Sequence, residues 1–330
     1  MFMEINRRAL YNSLRANWML NSSLAVEPWQ IEDYRSIPLE ELFLRLMNHG
    51  LHLEKISFCA FADLVDSPEE LTESLTADFE MDEKSLDQIY LLIFELWRRL
   101  VVERPSLTIF CDEIDHQIYL YDSGQIHNEE AIQDALANLQ IILDENVDEG
   151  TDPLEAFEYM NEACANDLES FLLDYISEQI DNDHLSYASD LIEGFGAYVH
   201  HIKWFELLRA RVLAFSEPEE ANHIIQGLIE DIAKENDLEF ILEVLSYFVR
   251  SGDEQTFKQL VKKAGSLLQT EDDFQVLVSI CADFYHRLDL EHIENKFQNL
   301  LDKRVNFDLD KKIDRNDPEL AGFLKNFSAT

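Results

Sequence analysis

The sequence predicts an all-α protein in which antiparallel helical hairpins stack as a solenoid-like C-terminal half behind an N-terminal helical cap. Three observations predict it. Apolar residues recur at helical spacing along nearly the whole chain. Glycine and proline are scarce for a sheet protein with many turns, at 9 and 7 in 330 residues. Start and stop signals for helices recur at regular intervals after residue 183.

Residues 1–20 read as a first helix with Ile5, Leu10, Leu14 and Trp18 turned inward. The stretch 5–26 lacks acids and carries Arg7, Arg8 and Arg15, which faintly resembles a transit peptide, although Glu4 interrupts it. Residues 21–38, broken by Pro28 and Pro38, read as a surface loop. Leu39–Asn48 is a helix stopped by Gly50. Ile56–Val65 is a short helix, and Ser67-Pro68-Glu69-Glu70 starts another. Ser85–Val102 is a strong helix through Ile89, Leu92, Ile93, Leu96, Trp97 and Leu100. Arg98, Arg99 and Arg104 stand where positive charge suits its dipole.

From Pro105 to Ile202 there is no lysine or arginine, yet the span holds 23 carboxylates. More than half of the net charge of −41 therefore lies in under a third of the chain. The span is expected to fold, because Phe110, Ile114, Ile118 and Tyr121, then Phe171, Leu172, Tyr175 and Ile176, keep the helical period. The first of its helices runs from Ser106 to about Tyr121, with a β-prone pair as the alternative. Asn128 caps the next, to about Leu143; Asp144–Asp152 is an acidic loop; helices follow from Pro153 to about Ala165 and on to Ile180.

Helix starts then fall near Asp183, Ser216, Asp253 and Asp289, with second helices at Lys203–Phe215, Asp237–Arg250 and Thr270–Arg287. Leu290–Leu301 closes the series. Two helices per period, with Ala188, Gly196, Tyr198 and Pro218 at small, aromatic and terminating positions, resemble tetratricopeptide-type repeats over 183–301. The resemblance implies a partner-binding scaffold. The organisation expected is 1–104 N-terminal helical, 105–182 acidic helical, 183–301 helix pairs and 302–330 an irregular tail, as one continuous unit.

Acids outnumber bases 67 to 26, which disfavours free nucleic acid and anionic membrane as partners. Cys59, Cys111, Cys164 and Cys281 form no CxxC and sit in apolar helical contexts, as reduced core residues of a cytoplasmic protein would. Two Glu-x-x-His motifs, Glu113/His116 and Glu220/His223, are the candidate metal ligands, since such pairs on bundle helices build di-iron centres. Chance explains them in so acidic a chain, and no metal or other cofactor is expected. Phosphate loops, nucleophile elbows and EF-hand spacing are absent, so no catalytic residue is named.

The expected function is a non-enzymatic interaction scaffold that binds a basic protein surface. The candidate partner-binding residues are Glu129, Glu130, Asp134, Asp144, Glu145, Asp148, Glu149, Asp152, Glu155, Glu158 and Glu162. Tyr198, Trp204 and Phe205 are added as an apolar groove. A nucleic-acid mimic or acidic chaperone is the second reading, a di-metal helical oxidase the third. The basic tail residues Lys303, Arg304, Lys311, Lys312 and Arg315 could fold back onto the acidic block.

Overall fold

The structure, a computed structural model, describes residues 5–104, 106–125 and 129–327. Among the described residues there are seventeen α-helices and no strand. They fall into two compact units: residues 1–175 with 193–200, and residues 176–192 with 201–330.

The first unit contains α1 (Ile5–Leu20), α2 (Leu39–Asn48), α3 (Lys55–Ala62), α4 (Pro68–Thr76) and α5 (Glu83–Leu100). It continues through α6 (Leu107–Asp122), α7 (Glu130–Asp148), α8 (Pro153–Ala163) and the first half of α9 (Leu168–Asp181). Helix α5 is its axis. Every residue from Ile89 to Trp97 is buried, so this helix is covered on all sides. The one carboxylate in that run, Glu95, is 1% exposed and takes Arg98 at 2.7 and 3.0 Å together with Arg99. Arg99 also donates to the carbonyls of Ile37, Tyr34 and Arg35, which holds the 21–38 segment down. That segment is not wholly irregular, since it makes 3₁₀ turns at Pro28–Gln30 and Tyr34–Ser36.

Helix α1 buries Ala9 and Tyr11, while Leu10 is exposed. The expected inward face is therefore rotated only in part, since Leu14 packs against the core as expected. Its polar residues drive the rotation: Arg7 and Tyr11 both bond Asp87 of α5, and Arg8 bonds Asp112 of α6. Charged hydrogen bonds to the buried Asp112 and the half-buried Asp87 outweigh the burial of one leucine.

The second unit contains α10 (Leu185–Phe195) up to Ile192, then α11 (Ile202–Ser216), α12 (Pro218–Ile232), α13 (Leu238–Ser251) and α14 (Glu254–Leu267). It ends with α15 (Glu271–Arg287), α16 (Glu291–Arg304) and α17 (Pro318–Leu324). Neighbouring helices pack as hairpins, α11 on α12 and α15 on α16, and α13 also packs on α15. The starts at Leu185, Pro218, Glu254 and Glu291 follow the rhythm read from the sequence. Asp237, Asp253 and Thr270 cap their helices by accepting the N–H of Phe240, Thr256 and Asp273.

Asp183 and Asp289 differ from them. Both sit in the left-handed region, at φ 62° and 56°. There they end the preceding helix, with His184 N–H bonding Gln179 and Leu290 N–H bonding Tyr285. An aspartate is tolerated in this conformation but glycine is preferred. Asp289→Gly is therefore expected to stabilise the protein, by up to about 1 kcal/mol once the added freedom of the unfolded chain is subtracted. Thermal unfolding checks this: a lowered Tm would contradict it.

Two further expectations are corrected. Residues 144–152 are a loop only in their second half: α7 continues to Asp148 and the turn is confined to 149–152, with Gly150 at a φ of 103° that residues with a side chain rarely adopt. The described tail, 302–327, is irregular only between Arg304 and Pro318. Thr270 and Lys312 form a bridge, Ile313 N–H bonds Gln269, and Phe323 and Phe327 pack around Phe297. Arg304 and Arg315 are spent inside this unit, Arg315 on the carbonyls of Gly265 and Leu268, so they are not available to the acidic block. Among the described residues no helix is long and apolar enough to cross a membrane.

Candidate functional site

Two surfaces of the first unit concentrate chemistry. The first is the outer face of α7 and α8. Ile132, Ala135, Leu136, Leu139 and Leu143 of α7 are buried, as are Ala156, Phe157, Met160 and Ala163 of α8. Their spacing leaves one stripe of each helix for solvent, and the acids occupy it. Glu129, Glu130, Asp134, Asp144, Glu145, Asp148, Glu149, Asp152, Glu155, Glu158 and Glu162 are all exposed. Asp144 accepts the Tyr198 hydroxyl, and Asp152 caps α8 through Leu154 N–H at 3.0 Å. Among the described residues, Glu129, Asp134, Glu145, Asp148, Glu149, Glu155, Glu158 and Glu162 make no ion pair. Ile141, Leu154 and Tyr159 stand exposed among them, at 55%, 36% and 39%. The face is thus negative with three apolar points in it.

The apolar groove expected at Tyr198, Trp204 and Phe205 is not a surface. Tyr198 and Phe205 are buried at 6% and 3%, and Trp204 packs edge-on against Phe240, so all three serve packing. Nor is the base-free span uniformly unneutralised. Arginines from outside it reach in: Arg8 and Arg35 pair with Asp112, Arg35 also with Glu113, and Arg211 and Arg250 with Asp181.

The second surface is a cleft of about 480 Å³ between α1 and α6. Arg8, Asn12, Arg15, Ala16 and Met19 form one stripe along α1, and Asp112, Asp115, His116, Tyr119 and Asp122 the facing stripe along α6. Arg8 bonds Asp112, and Asn12 bonds both Asp112 and Asp115, so the two helices advance in the same direction. Arg35, Ala165 and Asn166 complete the lining.

Its polar end is buried. Asp112, 2% exposed, accepts Arg8 Nε at 2.6 Å, Arg35 Nη2 at 2.5 Å and Asn12 Nδ2 at 3.0 Å. Burial alone would raise its pKa; the two guanidiniums outweigh it and hold the carboxyl well below the usual range. Asp115 accepts the N–H groups of Ala165 and Asn166 at 2.9–3.0 Å and the Asn166 amide at 2.8 Å. Here no cation answers the burial, which pushes the carboxyl up. Burial, with Arg35 beside it, lowers His116 and favours its neutral form.

The metal candidates are not brought together. Glu113 takes Arg35 and Gln117, both at 2.9 Å. Glu220 in the first turn of α12 and His223 in the second are exposed, in the other unit. No group of three or more His, Cys, Asp or Glu among the described residues could hold a metal ion. The neighbouring Cys111 thiol and burial push the Cys164 thiol far above the ordinary range, away from the reactive thiolate.

No family model, curated protein or solved structure matches the chain.

The geometry alone therefore speaks for the site. The sequence located the acidic face. It missed the cleft, although Arg7, Arg8 and Arg15 in an acid-free segment were visible. Their partners, Asp87, Asp112 and Asp33, lie 18 to 104 residues away.

Proposed function

We propose that the chain is a non-enzymatic interaction protein that receives a basic partner on the outer face of α7 and α8. What carries the reading is that all eleven candidate carboxylates are exposed on two folded helices, eight of them without an ion pair among the described residues. Such a preorganised field reaches beyond the surface, with a Debye length of about 8 Å at physiological ionic strength. Ile141, Leu154 and Tyr159 give the partner apolar contact, so a basic amphipathic helix is the best complement. The helix pairs of 183–301 act as scaffold. Four free cysteines, three of them buried, support a reducing compartment such as the cytoplasm.

The test is positional, because any chain this acidic attracts cations. A Lys/Arg-rich amphipathic helical peptide is titrated against the intact protein. Reversal of Asp134, Glu145, Glu155 and Glu158 to lysine is expected to weaken binding at least tenfold and to flatten its salt dependence. Reversal of Glu219, Glu220 and Glu230, exposed on α12, is expected to change it less than twofold. Equal losses from both sets would show that the acidity serves solubility alone.

A further inference from the structure

We propose that the cleft between α1 and α6 binds a small amphipathic carboxylate, its head group held by Arg8 and Arg15 and its chain laid along Ala16, Met19 and Tyr119. The argument is an inventory of donors and acceptors. The buried acceptors are already used: Asp112 by Arg8, Arg35 and Asn12, and Asp115 by two backbone N–H groups, Asn166 and Asn12. The donors are not. Arg8 bonds through Nε alone, while its guanidinium lies over the Phe94 ring at 5.0 Å. Arg15 bonds Asp33 through Nη1 alone, at 3.1 Å. A guanidinium carries five N–H donors in a planar fork that matches a carboxylate. The cleft therefore offers surplus donors and no surplus buried acceptor, which selects a ligand with acceptor oxygens.

Polarity within the cleft orients that ligand. Because α1 and α6 run in register, Arg8 and Asn12 lie at one end with Asp112 and Asp115. Met19 and Leu20 lie at the other with Asp122 and Ser123. Met19 and Leu20 are 42% and 89% exposed and offer a tail its apolar contact. A volume of about 480 Å³ lies within the range of small-molecule sites. The net charge of −41 opposes any anion at long range, but salt screens that repulsion, whereas two guanidiniums within bonding reach of the head group are screened far less.

Hexanoate, hexanamide and hexylamine are the probes, identical in chain and different in head group. They are titrated into the full-length protein carrying labelled methionine methyl groups, at physiological ionic strength. Hexanoate is expected to shift the Met19 methyl resonance saturably and at least fivefold more tightly than either analogue. Arg15→Gln, a change at a half-exposed side chain, is expected to weaken hexanoate at least fivefold while leaving the remaining methyl spectrum in place. Ala16→Phe, which fills the cleft from its exposed wall, is expected to abolish the shift. Equal binding of hexanamide, tighter binding of hexylamine, no saturable shift with any probe, or an Arg15→Gln variant that binds hexanoate normally would each overturn the proposal.

Discussion

Replacing Arg304 by alanine is expected to remove about 3–5 kcal/mol of unfolding free energy, the range found when one member of a buried ion pair is deleted. Its side chain is 4% exposed and joins three elements. It holds Glu271 at the start of α15 through Nε at 2.7 Å and Nη2 at 2.6 Å, a bidentate pair. Nη1 reaches Asp317 at 2.7 Å and Glu319 at 3.0 Å at the start of α17. Phe274 and Phe307 lie against its guanidinium at 4.9 and 4.8 Å. Alanine would leave Glu271, 2% exposed, charged and unanswered. Lysine keeps the charge but not the fork, so Arg304→Lys should fall between the two. Urea unfolding at neutral pH measures both, and native-state hydrogen exchange should show α17 opening first in the alanine variant. A loss below about 1 kcal/mol, the value of an exposed pair, would contradict the argument.

Asp112→Ala is expected to cost a similar amount, about 3–5 kcal/mol, because Arg8 would remain partly buried without a counter-charge and Arg35 would keep only Glu113. This site also sets a pH dependence. The folded pKa of Asp112 lies below its unfolded value of about 3.9, so its contribution is fully present above that value and is lost as pH falls through the folded one. Asp115 works in the opposite sense. Its raised folded pKa contributes stability below the unfolded value, lost as pH rises through the folded one. Between neutrality and about pH 4 the wild type should therefore keep the Asp112 contribution and regain that of Asp115. The gap between wild type and Asp112→Ala should stay constant over that window and narrow only below it. Unfolding curves at several pH values test this. A gap that closes well above pH 4 would show that Asp112 is not held by its arginines.

How much of this was legible without coordinates depends on the length scale. The helices of 183–301 were readable because each signal is local; their partners were not, since α11 packs chiefly on α12 and α15 on α16, across the two-helix units read from the sequence. A cap such as Asp253 or Thr270 acts on an N–H three residues away, and the apolar stripe of α13 or α15 is a property of one helix. The acidic face was readable for the same reason, since exposed acids and buried leucines alternate along α7 itself. The end of α7 was misread because glutamate and aspartate near Gly150 resemble a loop in composition, while the helix stops only where a left-handed residue is supplied. The helix start near Asp289 was read correctly, but the left-handed φ of Asp289, which ends the helix before it, was not legible, because aspartate stands equally at helix starts and helix ends.

By itself, then, the sequence determined the helices and the sign and place of the exposed charge. Each follows from spacing along a single segment. Only the tertiary structure decided which charges are exposed at all. Arg8 finds Asp112 across 104 residues, Arg35 finds it across 77 and Arg304 finds Glu271 across 33. No local pattern encodes such pairings, because the gain that fixes them comes from burying two opposite charges together. That burial exists only once α1, α6 and the 3₁₀ turn at Tyr34–Ser36, or α15, α16 and α17, are packed against one another.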